Sequence, residues 1–140
     1  MNGINVPRWL LGGTAAGVLI WVFESVAGGL YMPDMQVAMS DHNLRMDIGP
    51  DKVVLSALTC LLTGWALVFF YAASRPRFGA GPRSALIVSF ALWLGAWVVT
   101  MMGYQMMGLF PVRMLIVWAV VGLVEVMLAG MLGAWIYRER

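Results

Sequence analysis

Glu24 and Glu125 each lie inside a hydrophobic stretch long enough to cross a bilayer, and no Lys or Arg shares either stretch. An ionisable side chain at membrane depth costs about 2.5 kcal/mol or more on insertion scales, so it turns toward a protein interior and pairs with something there. Two carboxyls with no cation in reach can hold a proton between them, pass it to a hydroxyl, or close around a cation, which is how a proton relay is built. The same groups also make a plain polar clamp between helices. At 1.5 Å of rise per residue, counted from the outer ends of the stretches, Glu24 is about 10 Å deep and Glu125 about 17 Å deep. Thr59 and Thr100 fall near the level of Glu24 and are the expected carboxyl partners, with Ser56, Thr63 and Ser89 as further hydroxyls on the same two helices.

A second constellation is softer. Met32, Met35, Met39, His42 and Met46 follow one helical face, and Met101, Met102, Met106, Met107 and Met114 flank the other outer loop. Thioethers with an imidazole suit Cu(I), with Met35, Met39 and His42 as ligands. The plainer reading, and the preferred one, is a short amphipathic helix at the membrane interface or over the bundle, opened by Pro33 and Asp34, with methionine filling irregular gaps. No metal site and no cofactor is therefore expected. His42 is the single histidine, which excludes haem held by two histidines and the multi-histidine metal centres. Trp21, Trp65, Trp93, Trp97, Trp118 and Trp135 have the makings of a pocket for a flat lipid or quinone, although tryptophan within spans more often packs or faces lipid.

Catalytic chemistry is missing. The chain has no phosphate-binding Walker loop, no Gly-x-Ser-x-Gly, no Cys-x-x-Cys and no His-Glu-x-x-His. Isolated hydroxyls and Cys60 have no base beside them in sequence, so an enzyme is not expected.

The elements that must position these groups are helices. Of 140 residues, 61% are hydrophobic and 11% charged, against about a quarter charged in soluble domains. The apolar residues form four blocks, Trp9 to Tyr31, Val53 to Ala73, Ala85 to Leu109 and Met114 to Tyr137, each matching the roughly 30 Å hydrocarbon core. Nothing shows the alternation of barrel strands. The first block follows Arg8 and reaches Ser25-Val26-Ala27, like a secretory signal, but it exceeds the usual signal core and is retained as a span. Cys60 lies within the second span and can make no disulfide in this chain.

The expected fold is an all-α, integral membrane four-helix bundle in a single domain, with a short amphipathic helix in the first outer loop. One end carries Arg8, Arg75, Arg77, Arg83, Arg138 and Arg140 against Glu139; the other has Arg45, Lys52 and Arg113 beside Asp34, Asp41, Asp47 and Asp51. By the positive-inside rule both termini are cytoplasmic. The net charge of +2 then reflects topology, not nucleic-acid binding. Pro76 and Gly79-Ala80-Gly81-Pro82 make a tight basic turn, while Phe110 and Pro111 join the last two spans as antiparallel neighbours. No repeat relates the two halves.

Small residues mark the inward faces. Gly13, Gly17, Glu24, Gly28 and Tyr31 share a stripe on the first span, and Gly122, Glu125, Ala129 and Gly133 do so on the fourth. The second span offers Ser56, Thr59, Thr63 and Ala66, and the third Ser89, Ala96, Thr100 and Gly103.

Tyr71-Ala72-Ala73-Ser74-Arg75-Pro76-Arg77-Phe78-Gly79-Ala80-Gly81-Pro82-Arg83, with Gly122-Leu123-Val124-Glu125 through Gly133-Ala134-Trp135-Ile136-Tyr137-Arg138-Glu139, resembles a group of small, uncharacterised four-span bacterial membrane proteins. The opening Leu11-Gly12-Gly13-Thr14-Ala15-Ala16-Gly17 is similar in kind. The resemblance implies a bacterial inner-membrane location and brings no activity with it. Two functions follow as expectations. One is a non-enzymatic structural or accessory protein in which the glutamates fix helix packing. Its alternative is a proton- or cation-coupled transport or ion-handling protein using Glu24 and Glu125. The expected partners are lipid and either a second copy or a larger membrane complex.

Overall fold

A proline stands at the start of each of four long helices in the computed structural model, which describes residues 3–137. Helix α1 spans Val6–Asp41, α2 Pro50–Phe78, α3 Pro82–Met106 and α4 Val112–Ile136. Proline suits these positions because its fixed φ is already helical and its missing N–H has no rung to serve in the first turn. Asn5 adds a side-chain cap on α1, accepting from the Arg8 N–H at 3.2 Å. All four helices are long and apolar enough to cross a membrane. Large apolar side chains such as Val26, Leu30 and Ile116 cover their outer surfaces, as lipid contact requires and water does not tolerate. The chain is thus an all-helical, multi-pass membrane protein. Arg138, Glu139 and Arg140, counted above in the charge balance, lie outside the described residues.

The helices run alternately up and down. At one end the Asn5 N–H donates to the Tyr137 hydroxyl at 3.2 Å, and at the other a ring nitrogen of His42 meets the Gly108 carbonyl at 3.1 Å. The expected separate helix in the first outer loop is corrected: residues 32–41 are helical but continue α1 without a break. Pro33 has no N–H to reach Gly29, and the helix runs on through it. Pro76 likewise sits inside α2, and the helix ends two residues later, where Gly79 and Gly81 adopt φ of 81° and 128°.

Glycine sets the spacing of the bundle. A Cβ on Gly64 of α2 would run into the Gly13 carbonyl and the Gly17 backbone of α1, so those two backbones touch directly. A Cβ on Gly12 would lie 2.8 Å from the Gly133 oxygen of α4. In lipid, where apolar surface gains nothing by leaving its surroundings, this backbone-level packing is what holds helices together.

The third span is not uniform. Residues Leu94–Val98 form a π-helical turn between two α-helical halves, Pro82–Trp93 and Val99–Met106. The first half packs on both α2 and α4, whereas the second keeps contact with α4 alone. A wedge therefore opens between α2 and the far half of α3.

Candidate functional site

The wedge is a cavity of about 910 Å³, and Glu24 lines it together with Thr59, Thr100, Trp21, Trp97 and Trp118. It reaches from mid-helix, at Cys60 and Thr63, to the far ends of the helices, at Ile48 and Lys52. The Tyr31 hydroxyl, two turns along α1, donates to Glu24 Oε2. The Trp118 indole N–H, brought from α4, donates to Glu24 Oε1 at 3.3 Å. These two donors stack on each other with ring centroids 5.6 Å apart, and Tyr104 stacks on Trp118 at 6.2 Å. Tyr31 is buried among Ala27, Met101, Met114 and Leu115, so the aromatic group that orients Glu24 is itself fixed by packing.

Glu125 is different. It is fully buried on α4, at 0% exposure, and neither carboxyl oxygen receives a hydrogen bond among the described residues. The Glu24 carboxyl on α1 lies near enough to act on it electrostatically. Both are acceptors when ionised, so joining them would take a hydrogen, or another positive centre, between the oxygens. Titratable neighbours of the pair are Tyr31 on α1, Cys60 on α2 and Tyr104 on α3. Lys52 lines the far end of the same cavity, and no Arg does among the described residues.

The structure thus brings Glu24 and Glu125 together and places Thr59 and Thr100 in the wall of the same cavity. The hydroxyls do not serve the carboxyls. Thr59 donates to Leu55 O at 2.9 Å and Thr100 to Ala96 O at 2.5 Å, each on its own helix, the back-bonding habit of hydroxyls within spans. The partners that sequence reasoning missed are Tyr31 and Trp118. The seven-residue step from Glu24 to Tyr31 is the signal that pointed to one of them, since it puts both on one helical face.

The inward face of α2 also differs from expectation. Cys60, Gly64, Leu67, Val68, Tyr71 and Ala72 are its buried residues, while Ser56 and Thr59 are exposed to the cavity side. On α3, Ser89 is buried as expected, beside Gly130, and Ala96 and Thr100 are not.

Met35, Met39 and His42 lie at the far end of α1. Met35 packs against the Tyr31 cluster, Met39 is half-buried, and His42 is engaged with Gly108. Among the described residues no group of three or more His, Cys, Asp or Glu comes together as a metal site. Of the tryptophans, Trp21, Trp97 and Trp118 line the cavity. Trp65 binds Thr14 at 3.1 Å and Trp93 binds Ala119 O at 2.8 Å, and Trp135 is exposed.

The fold and site define a four-span membrane protein with a paired-carboxyl centre beside an aromatic cavity. Comparison of the chain with family models, curated proteins and solved structures gives no match.

Proposed function

We propose that this chain is a non-enzymatic proton- or cation-handling protein of the bacterial inner membrane, with both termini cytoplasmic and the Glu24 and Glu125 pair as its binding centre. The observation that carries the reading is Glu125: fully buried, given no donor, and faced by a second carboxyl. A packing clamp would be expected to satisfy its own acceptors, because a buried polar atom left without a partner costs about 1 to 3 kcal/mol. Glycine contacts at Gly12, Gly13, Gly17, Gly64 and Gly133 already bring the helices together, so packing makes no demand for a carboxyl here. A centre that takes up and gives back a positive charge, by contrast, needs acceptors that the protein does not fill. Lipid and a second copy, or a larger membrane complex, are the partners of such a protein.

Infrared carboxyl absorption in lipid, followed from pH 4 to pH 9 with and without Na⁺ or K⁺, tests it. A band that changes with pH or with the cation, and that disappears in Glu125→Gln or Glu24→Gln, is the expected result. Bands that ignore both variables would return the pair to the role of a packing clamp.

A further inference from the structure

The chemistry left over in the cavity is one-sided. Among the lining groups, Tyr31 and Trp118 donate to Glu24, and Trp21 donates to Ser56. Ser25, Ser56, Thr59, Thr63 and Thr100 all donate to carbonyls of their own helices. A guest is offered carboxyl oxygens and the π faces of indoles and phenols, with the Trp97 indole and the Tyr104 hydroxyl as remaining donors. Carboxylate plus aromatic face is the combination that recognises a cation, and desolvation strengthens it. Lys52, at the cavity mouth, is taken up by Asp51 at 3.0 Å, and both are well exposed to solvent, so it opposes a bound cation only weakly.

Size and access narrow the guest further. About 910 Å³ is far more than a metal ion needs and sits within the roughly 300 to 1,000 Å³ of pockets for drug-sized molecules. The backbones of α2 and the far half of α3 stay apart and the lining residues Leu55, Thr59, Ala96 and Thr100 are exposed, so besides its end at Ile48 and Lys52 the cavity opens sideways along the helices, where a membrane's hydrocarbon would lie. A molecule that reaches it from there must itself be lipid-soluble.

We propose that this cavity binds a hydrophobic organic cation, its positive centre at Glu24 and its apolar rings against Trp21 and Trp97. The proposal rests on the carboxyl pair being a centre for positive charge, and names the class of molecule it takes. Glu125 lies outside the cavity lining, so Glu24 is the carboxyl that meets the guest, and the stacked Tyr31 and Trp118 fix its position.

The test uses the full chain in lipid nanodiscs, tetraphenylphosphonium as the probe, empty nanodiscs as the partition control and triphenylphosphine oxide as the neutral analogue. Saturable binding above the control is expected, reduced at least tenfold in Glu24→Gln and in Thr100→Trp, and not displaced by the neutral analogue. Thr100→Trp fills the cavity from an exposed position on α3 and leaves the glycine contacts alone, so it carries the test if Glu24→Gln does not fold. Binding no greater than to empty nanodiscs overturns the proposal, as does equal affinity in a folded Thr100→Trp or full displacement by the neutral analogue. The two readings fail separately. Carboxyl bands that respond to Na⁺ without tetraphenylphosphonium binding leave the ion centre and remove the organic guest. Saturable, Glu24-dependent binding with bands indifferent to pH and Na⁺ leaves the guest and removes ion exchange.

Discussion

Glu125 carries a conflict between stability and use that can be measured. A carboxyl with no donor in an apolar interior opposes folding, and an apolar side chain of similar volume in its place relieves that opposition. Glu125→Met is therefore expected to raise the thermal unfolding midpoint in detergent, by the equivalent of about 1 to 3 kcal/mol, while the cation response of the infrared bands vanishes. An unchanged or lowered midpoint would mean that Glu125 has partners that offset its burial. Tyr31→Phe makes the complementary case at Glu24. The ring keeps its stack on Trp118 and loses the donated hydroxyl. A loss of about 1 kcal/mol in stability and a shift of the Glu24 carboxyl band are expected; an unmoved band would show that the hydroxyl does not orient the carboxyl. Both glutamates were legible in the sequence, because a charge inside an apolar block stands out against everything around it. Their aromatic donors were not, because Tyr31 also sits where interfacial anchors sit and Trp118 comes from a helix nearly a hundred residues away.

At the scale of the helix, the legible faces were those marked by glycine. Gly13, Gly17 and Gly28 on α1 are buried as their spacing predicts, and so are Gly122, Ala129 and Gly133 on α4. Helix α2 offered no such contrast. It is apolar on every side, since lipid and core accept the same residues, and its hydroxyls needed no inward face once they bonded their own carbonyls. Gly64 marks its true face, and Gly64→Ala is expected to force α1 and α2 apart at a cost of about 1 to 3 kcal/mol. Gly103→Ala, where a Cβ meets nothing within 4 Å, is the control, with no loss of stability and a gain of up to about 1 kcal/mol from the better helix former. The π-helical turn at Leu94–Val98 had no sequence signature at all. A π turn already accommodates one residue more than an α-helical turn, whereas an alanine inserted after Val99, in the regular half beyond it, rotates everything that follows by about 100°. Thr100, Met101 and Tyr104 then leave the cavity wall. Helical content by circular dichroism should persist and tetraphenylphosphonium binding should fall at least tenfold; unaffected binding would show that the register of this half does not shape the cavity.

For the whole molecule, the cavity and the charges occupy opposite ends. The described end with Arg75, Arg77 and Arg83 is strongly basic, while the cavity opens near Ile48 and Lys52, beside Asp47 and Asp51. If Lys and Arg near span ends are retained in the cytoplasm, a guest reaches Glu24 from the outer leaflet and not from the cytoplasm. That arrangement depends on orientation alone, because the bundle itself is the same either way up. Single cysteines at Ala80 and Asp47, in a background where Cys60 is alanine, read it directly through a membrane-impermeant maleimide. In intact cells Asp47→Cys should be labelled and Ala80→Cys should react only after the membrane is opened. The inverse pattern would put the acidic end in the cytoplasm and turn the cavity toward the inner leaflet. The carboxyl pair and its aromatic ladder would keep their geometry in that case, but the direction from which a cation arrives, and the side to which a proton is released in exchange, would both be reversed.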